Sequence, residues 1–107
     1  MKVVTTDTVA DYTITESLGA VIGNTIRARH LGKDISAGLR SLVGGEITEY
    51  TGMMAESREQ ALQRMLDRAQ ELNDDAVEGI RFQTSMIMQG SAELLVYGTA
   101  VKLAQNE

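Results

Sequence analysis

Thiolate and imidazole are the side chains that hold soft metal ions, and a zinc site usually takes three or four of them. This chain of 107 residues contains no cysteine and a single histidine, His30. The missing cysteines also remove disulfides and thiolate nucleophiles. His30 makes no site by itself. It becomes one only if oligomer symmetry gathers several copies on an axis, and its ordinary reading is a lone surface imidazole. Six methionines supply thioethers. Met53, Met54, Met65, Met86 and Met88 fall where helix or strand faces meet, which is how methionine fills a core rather than how it holds copper.

Hard cations accept carboxylate oxygen instead. Glu46 and Glu49 beside Tyr50 form one cluster, and Asp74-Asp75 another. The second reads first as the cap of a turn, and no calcium-loop spacing is present. Glu16 and Glu78 stand apart because each interrupts an apolar strand parity. A carboxylate on such a face must be paired, lie at an edge, or line a cavity.

Anion binding has a different signature. Arg27, Arg29, Lys33 and Arg40 place four of the ten basic residues, with His30, within fourteen positions. Gly44-Gly45 follows, then a helix start whose free N–H groups and dipole favour negative charge. The opposing reading is that these cations are solvated or paired with acids across a subunit contact. The candidate ligand-binding set is therefore Arg27, His30, Arg40, Gly44, Gly45, Glu46 and Tyr50. It is expected in a pocket at a subunit contact lined by residues 27–30 and 44–50. No nucleophile elbow, Ser-His-Asp set or hydrolytic metal motif occurs, so no enzymatic activity is expected. Tyr50 is read as a ring that packs while its hydroxyl stays wet.

The elements that must position these groups follow from periodicity. Between Tyr12 and Ala28, seven of nine even positions are apolar, whereas Val21 is the only apolar odd one. That is a strand with one buried face, with Gly19 and Gly23 as the expected bend points. Ile35, Leu39, Leu42 and Val43 predict a helix capped by Asp34 and stopped at Gly44-Gly45. A second helix is expected over 48–72, with Ala61, Leu62, Met65, Leu66, Ala69 and Leu72 as its buried stripe. Asn73-Asp74-Asp75 ends it. Ala76, Ile80, Phe82, Met86 and Met88 share one parity of the next strand, and Gln89-Gly90-Ser91 turns the chain into the last.

The closing stretch, 92–103, is apolar at odd and even positions alike, so both of its faces should be covered. One layer of helices covers one face of a small sheet; the other should meet another subunit. A helical crossover makes its two flanking strands parallel, and the hairpin strand inserts between them. The expected architecture is α+β in the order β-α-α-β-β, a three-stranded mixed sheet with both helices on one face. A chain this short fits one domain, 1–107. A net charge of −5 argues against nucleic-acid binding. No segment has the length of a signal peptide's apolar run or of a membrane span, so a soluble cytoplasmic protein is expected.

These motifs occur in one order: Thr15-Glu16-Ser17-Leu18-Gly19-Ala20-Val21-Ile22-Gly23, then Gly44-Gly45 with Tyr50, Asp74-Asp75-Ala76-Val77-Glu78-Gly79-Ile80, and Gly98-Thr99-Ala100-Val101. Over nearly its whole length the chain resembles the YbjQ-like family of small bacterial and archaeal proteins. The resemblance implies a subunit of the dodecin type and a ring-forming homo-oligomer, a pentamer, as the partner of each copy. It also brings the description "putative heavy-metal binding", hence a divalent metal or another small ligand. The alternative is a structural or regulatory scaffold that docks another protein without a small-molecule ligand.

Overall fold

The computed structural model describes residues 1–28, 48–88 and 90–107, with side chains over 1–27, 52–88 and 90–107. In chain order the described elements are β1 (Lys2–Val3), β2 (Tyr12–Ala28), α1 (Thr48–Glu71), β3 (Ala76–Met88) and β4 (Ser91–Gln105). They form one mixed sheet in the order β1-β3-β4-β2. β4 is antiparallel to both neighbours, so β2 and β3 run parallel. This is the inserted-hairpin arrangement that the crossover rule predicts. The sheet has four strands rather than three, because Lys2 and Val3 pair in parallel with Ala76 and Val77. Two residues are too few to carry a periodicity. The helix expected over 35–43 lies outside the described residues.

α1 meets the sheet along one stripe. Ala61, Met65 and Ala69 are fully buried, Leu62 and Leu66 half-buried, and Glu59, Arg64, Asp67, Arg68 and Glu71 face water. Leu72 departs from the expected stripe and is exposed, because the helix has already ended. Asn73 takes a left-handed φ of 58° there, a conformation Asn tolerates at a helix end. Asp75 then fixes the turn against the sheet: its Oδ2 accepts from the Leu103 N–H at 2.9 Å. The backbone at Gly23 is the closest approach of the two layers. A Cβ built on it would lie 2.5 Å from the Met65 nitrogen and nearer still to the Ala61 carbonyl oxygen. Gly23 is thus a contact point and not a bend.

The faces of the strands differ from simple alternation. β2 shifts register against β4 between Ile14 and Glu16 and again between Ser17 and Gly19, where Gly19 takes a φ of 122°. Each extra residue moves the following side chains to the opposite face, so the two shifts together restore the parity and only the residues between them, Leu18 among them, are turned over. Beyond the second shift the odd residues Val21, Gly23, Thr25 and Arg27 face α1, while Ile22 and Ile26 are exposed. The even parity read as buried is therefore the open side of the sheet. β3 shifts similarly between Glu78 and Arg81. Val77 and Ile80 join the core under α1, Ala76 faces the other way, and Phe82, Met86 and Met88 are exposed.

The main core comprises Val21, Ala61, Met65, Ala69, Val77, Ile80, Leu94, Val96 and Ala100. A smaller cluster of Val9, Ala76 and Val101, joined by Val4, Tyr12 and Leu103, lies where the N-terminal segment crosses the sheet. The two-sided character of β4 thus has two sources. α1 covers Leu94 and Val96, and the chain's own N-terminal segment covers the Val101 end. Leu95 and Tyr97, on the second face, meet neither cluster.

Candidate functional site

Of the seven predicted ligand-binding residues, Arg27 alone has a described side chain. His30, Arg40, Gly44, Gly45 and Glu46 lie outside the described residues, and Tyr50 is placed only by its backbone, in the first turn of α1. The Arg27 guanidinium is already engaged. Its Nε donates to Ser57 Oγ at 3.0 Å, one terminal nitrogen donates to Gln60 Oε1 at 2.9 Å, and Glu56 stands 3.7 Å away. Beside it Thr25, Met53, Met54 and Leu94 frame a crevice with room for about one water. The arginine ties the end of β2 to α1. Within one described chain it does not present a free anion pocket.

The methionines divide. Met65 is the core filler that its position predicts, and Met53 and Met54 are half-buried at the crevice. Met86 and Met88, by contrast, remain 79% and 64% exposed. Among the described residues no group of three or more His, Cys, Asp or Glu side chains is placed to hold a metal ion.

One unassigned surface is the sheet face away from α1. Ile22 pairs with Tyr97 across β2 and β4, Asn24 with Leu95, and Ile26 with Glu93. Ile22, Ile26 and Tyr97 are exposed, and the Asn24 amide nitrogen donates to Glu93 Oε2 at 3.2 Å within this face. Two strand edges accompany it. Among the described residues the outer edge of β2 pairs with no strand, and β3 has no outer strand partner from Arg81 onward.

Two carboxylates are buried without full hydrogen bonding. Glu78 retains 7% of its surface, and its Oε2 has no partner among the described residues. Burial raises its pKa, and the neighbouring Asp7 charge raises it further. The N-terminal segment brings Asp7 there: the Gly79 N–H donates to the Thr6 carbonyl at 2.8 Å, and Arg81 donates to the Thr5 carbonyl at 2.8 Å. Gly79 itself has a φ of 64°, the left-handed geometry this bulge requires. Both Asp74 oxygens are likewise unpartnered, and burial is the leading cause of its raised pKa. Glu16, the other carboxylate flagged by parity, is exposed opposite Lys102. Sequence patterning marks Glu78 but not Asp7, because nothing local places the N-terminus over β3.

A group whose folded pKa is raised binds its proton more tightly in the folded chain. Glu78 and Asp74 therefore add stability as pH falls through their folded values, and that gain is lost as pH rises above them. Glu78→Gln is expected to be more stable than the native chain at neutral pH by about 1 kcal/mol. Its denaturation midpoint should also depend less on pH just above the ordinary carboxylate range. Urea titrations between pH 5 and pH 8 check this; an unchanged pH profile in the variant would contradict the placement of Glu78.

Comparison with known proteins agrees with this architecture. A family model described as "Putative heavy-metal-binding" matches residues 1–104. A UPF0145 protein of Methanosarcina acetivorans is 56% identical over 103 residues, covering 96% of this chain and 97% of the relative. A second, from Archaeoglobus fulgidus, is 55% identical over 101 residues, with 94% of each covered. Among solved structures, a protein of unknown function of the DUF74 family from Pediococcus pentosaceus superposes with a TM-score of 0.70 at 19% identity. That superposition covers 97% of this chain and 98% of the other, and it supports the fold.

Proposed function

The chain belongs to the YbjQ-like, "putative heavy-metal-binding" family, and on that premise we propose that it is a ring-forming homo-oligomer that binds a small ligand or metal ion at its subunit contacts. One observation carries the assembly. The part of the sheet face bearing Ile22, Ile26, Leu95 and Tyr97 is mostly apolar, with the Asn24–Glu93 pair among them, and has no described element packed on it. An apolar face of this kind is characteristic of an interaction surface. The free edges of β2 and β3 lie on opposite sides of the sheet, so head-to-tail pairing of successive copies would satisfy both. Such heterologous contacts close into a ring when the rotation permits. The dodecin-like subunit and the ring number of five come with the family resemblance. A cytoplasmic setting and the absence of catalysis belong to the same reading; no described helix is long and apolar enough to cross a membrane.

Sedimentation velocity at micromolar concentration tests the assembly. A multiple of 11.6 kDa is expected, and a sharp single-chain species across the concentration range would sink it. In that case the scaffold reading fails too, unless a second protein supplies the cover.

The described residues do not fit a soft-metal site of the thiolate or imidazole type within one subunit. Zn²⁺ and Cu²⁺ are accordingly expected to bind weakly to a dissociated subunit. Any tight binding should appear only in the assembled protein, where His30 copies can meet. Calorimetric titration with Zn²⁺, Cu²⁺ and Ni²⁺ on both forms checks this. Sub-micromolar binding that survives His30→Ala would reveal a site built from other donors.

A further inference from the structure

Phe82 is the only phenylalanine of the chain and is 46% exposed; Met86, on the same strand, is 79% exposed. Both lie on the α1 side of the sheet. Phe82, Thr84 and Met86 stand opposite Val96, Leu94 and Ala92 of β4, and cross-strand partners share a face. Val96 and Leu94 belong to the core under α1. α1 itself runs along β2 and β4, so its layer stops short of this part of β3. Neither Phe82 nor Met86 joins a core cluster among the described residues. Met53 and Met54 of α1 border a crevice lined by Ala92 and Leu94, and Ala92 also lines a hollow with Met86, Gly90 and Ser91. The apolar surface thus continues from the flank of α1 to the tip of the β3–β4 hairpin.

The chain between β2 and α1 starts and ends beside this surface. Ala28 and Met88 both pair with Ser91, which puts the end of β2, the start of β4 and the end of β3 in one row. α1 begins at Thr48, little more than one turn before Met53. Residues 29–47 carry Ile35, Leu39, Leu42 and Val43 at helical spacing, a stripe that needs apolar cover. As a helix, 35–43 would span about 13 Å, and the stretch of β3 from Phe82 to Met86 spans about the same. Residues 29–34 reach up to about 20 Å when extended, and β3 lies two strand spacings, about 10 Å, from β2. We propose that the Ile35-Leu39-Leu42-Val43 stripe docks on Phe82, Thr84 and Met86 of its own chain, beside α1. The short connections to Ala28 and Thr48 favour the same chain over a second copy. Two helices on one sheet face leave this seat unspecified; the exposed residues of β3 specify it. The contact lies opposite the face assigned to subunit contacts, so it stands apart from the ring.

The chain has no cysteine, so introduced thiols report this contact alone. Leu39→Cys combined with Phe82→Cys, treated with a short bis-maleimide at dilute protein, should bridge within one chain. Bridging should run about tenfold faster than in Ala37→Cys combined with Phe82→Cys, because Ala37 falls on the opposite side of the same helical period. Circular dichroism checks that each pair is folded, and the exposure of Phe82 makes cysteine tolerable there. The native chain gives a second readout: nuclear Overhauser contacts are expected from the lone phenylalanine ring to the methyl groups of Leu39 and Leu42. Bridged species of doubled mass only would assign the stripe to a neighbouring copy and overturn the proposal. Equal rates for the two pairs, or a Phe82 ring without contacts to residues 35–43, would overturn it as well.

Discussion

Gly23→Val is expected to abolish the folded state, and Gly23→Ala to cost about 3 kcal/mol or more. Overpacking a core usually costs about 1–3 kcal/mol, because side chains can change rotamer around the intruding atoms. At Gly23 that relief is missing. The atoms a new Cβ would strike are the Ala61 carbonyl oxygen and the Met65 nitrogen, both in the backbone of α1. The helix would have to lift from the sheet, separating Met65 from Val21 and Val96 in the same core. A domain of this size has about 5–15 kcal/mol of stability in total, so valine consumes much or all of it. Gly52→Ala is the matched control. No atom lies within 4 Å of a Cβ there, and alanine in a helix interior should stabilise by up to about 1 kcal/mol. Urea titrations followed by circular dichroism distinguish these cases. A Gly23→Ala variant as stable as the native chain would show that α1 does not pack against β2 in this way.

Much of this fold can be read from local pattern, and the failures are of two kinds. β2 and α1 are visible as runs of period 2 and period 3.6, and the start of α1 falls where the periodicity puts it, at Thr48. The position of β4 between β2 and β3 follows from connection geometry. Which face of β2 is buried cannot be read from the same pattern. The register shifts beside Thr15 and Leu18 each add a residue and cancel beyond Gly19, turning over only the residues between them; an apolar parity marks a face suited to cover without saying which face the helix covers. In β3 a single shift at Gly79 and its neighbours does reverse the parity. Non-local contacts account for the remainder. Glu78 is conspicuous in sequence as a carboxylate among apolar residues, but the segment carrying Asp7 is brought to β3 by backbone bonds between residues 73 or more positions apart. Arg27 stands out as part of a basic run; its bonds to Ser57 and Gln60 depend on how α1 lies across the sheet.

The reversal of β2 changes what the apolar tail of the chain means. Ile22 and Ile26 are buried-type residues on a face without a described cover, beside Leu95 and Tyr97. In an assembly that buries this face, Ile22→Asp should dissociate the oligomer and leave the subunit folded. Ile22 is 43% exposed in the single chain, so an aspartate there keeps its water in the dissociated form. Once covered by another copy, the same charge would be buried without a partner, which costs several kcal/mol. A loss of about 4 kcal/mol weakens association roughly a thousandfold, enough to turn a micromolar assembly into subunits. Leu95→Asp acts differently, because Leu95 is already half-buried on the central strand and its replacement should damage folding as well as assembly. Paired sedimentation and circular dichroism separate the two: Ile22→Asp should lose mass with its spectrum intact, whereas Leu95→Asp should lose both. An Ile22→Asp variant that sediments with the native assembly would place the subunit contact elsewhere, and the free edges of β2 and β3 would then be the surfaces to block.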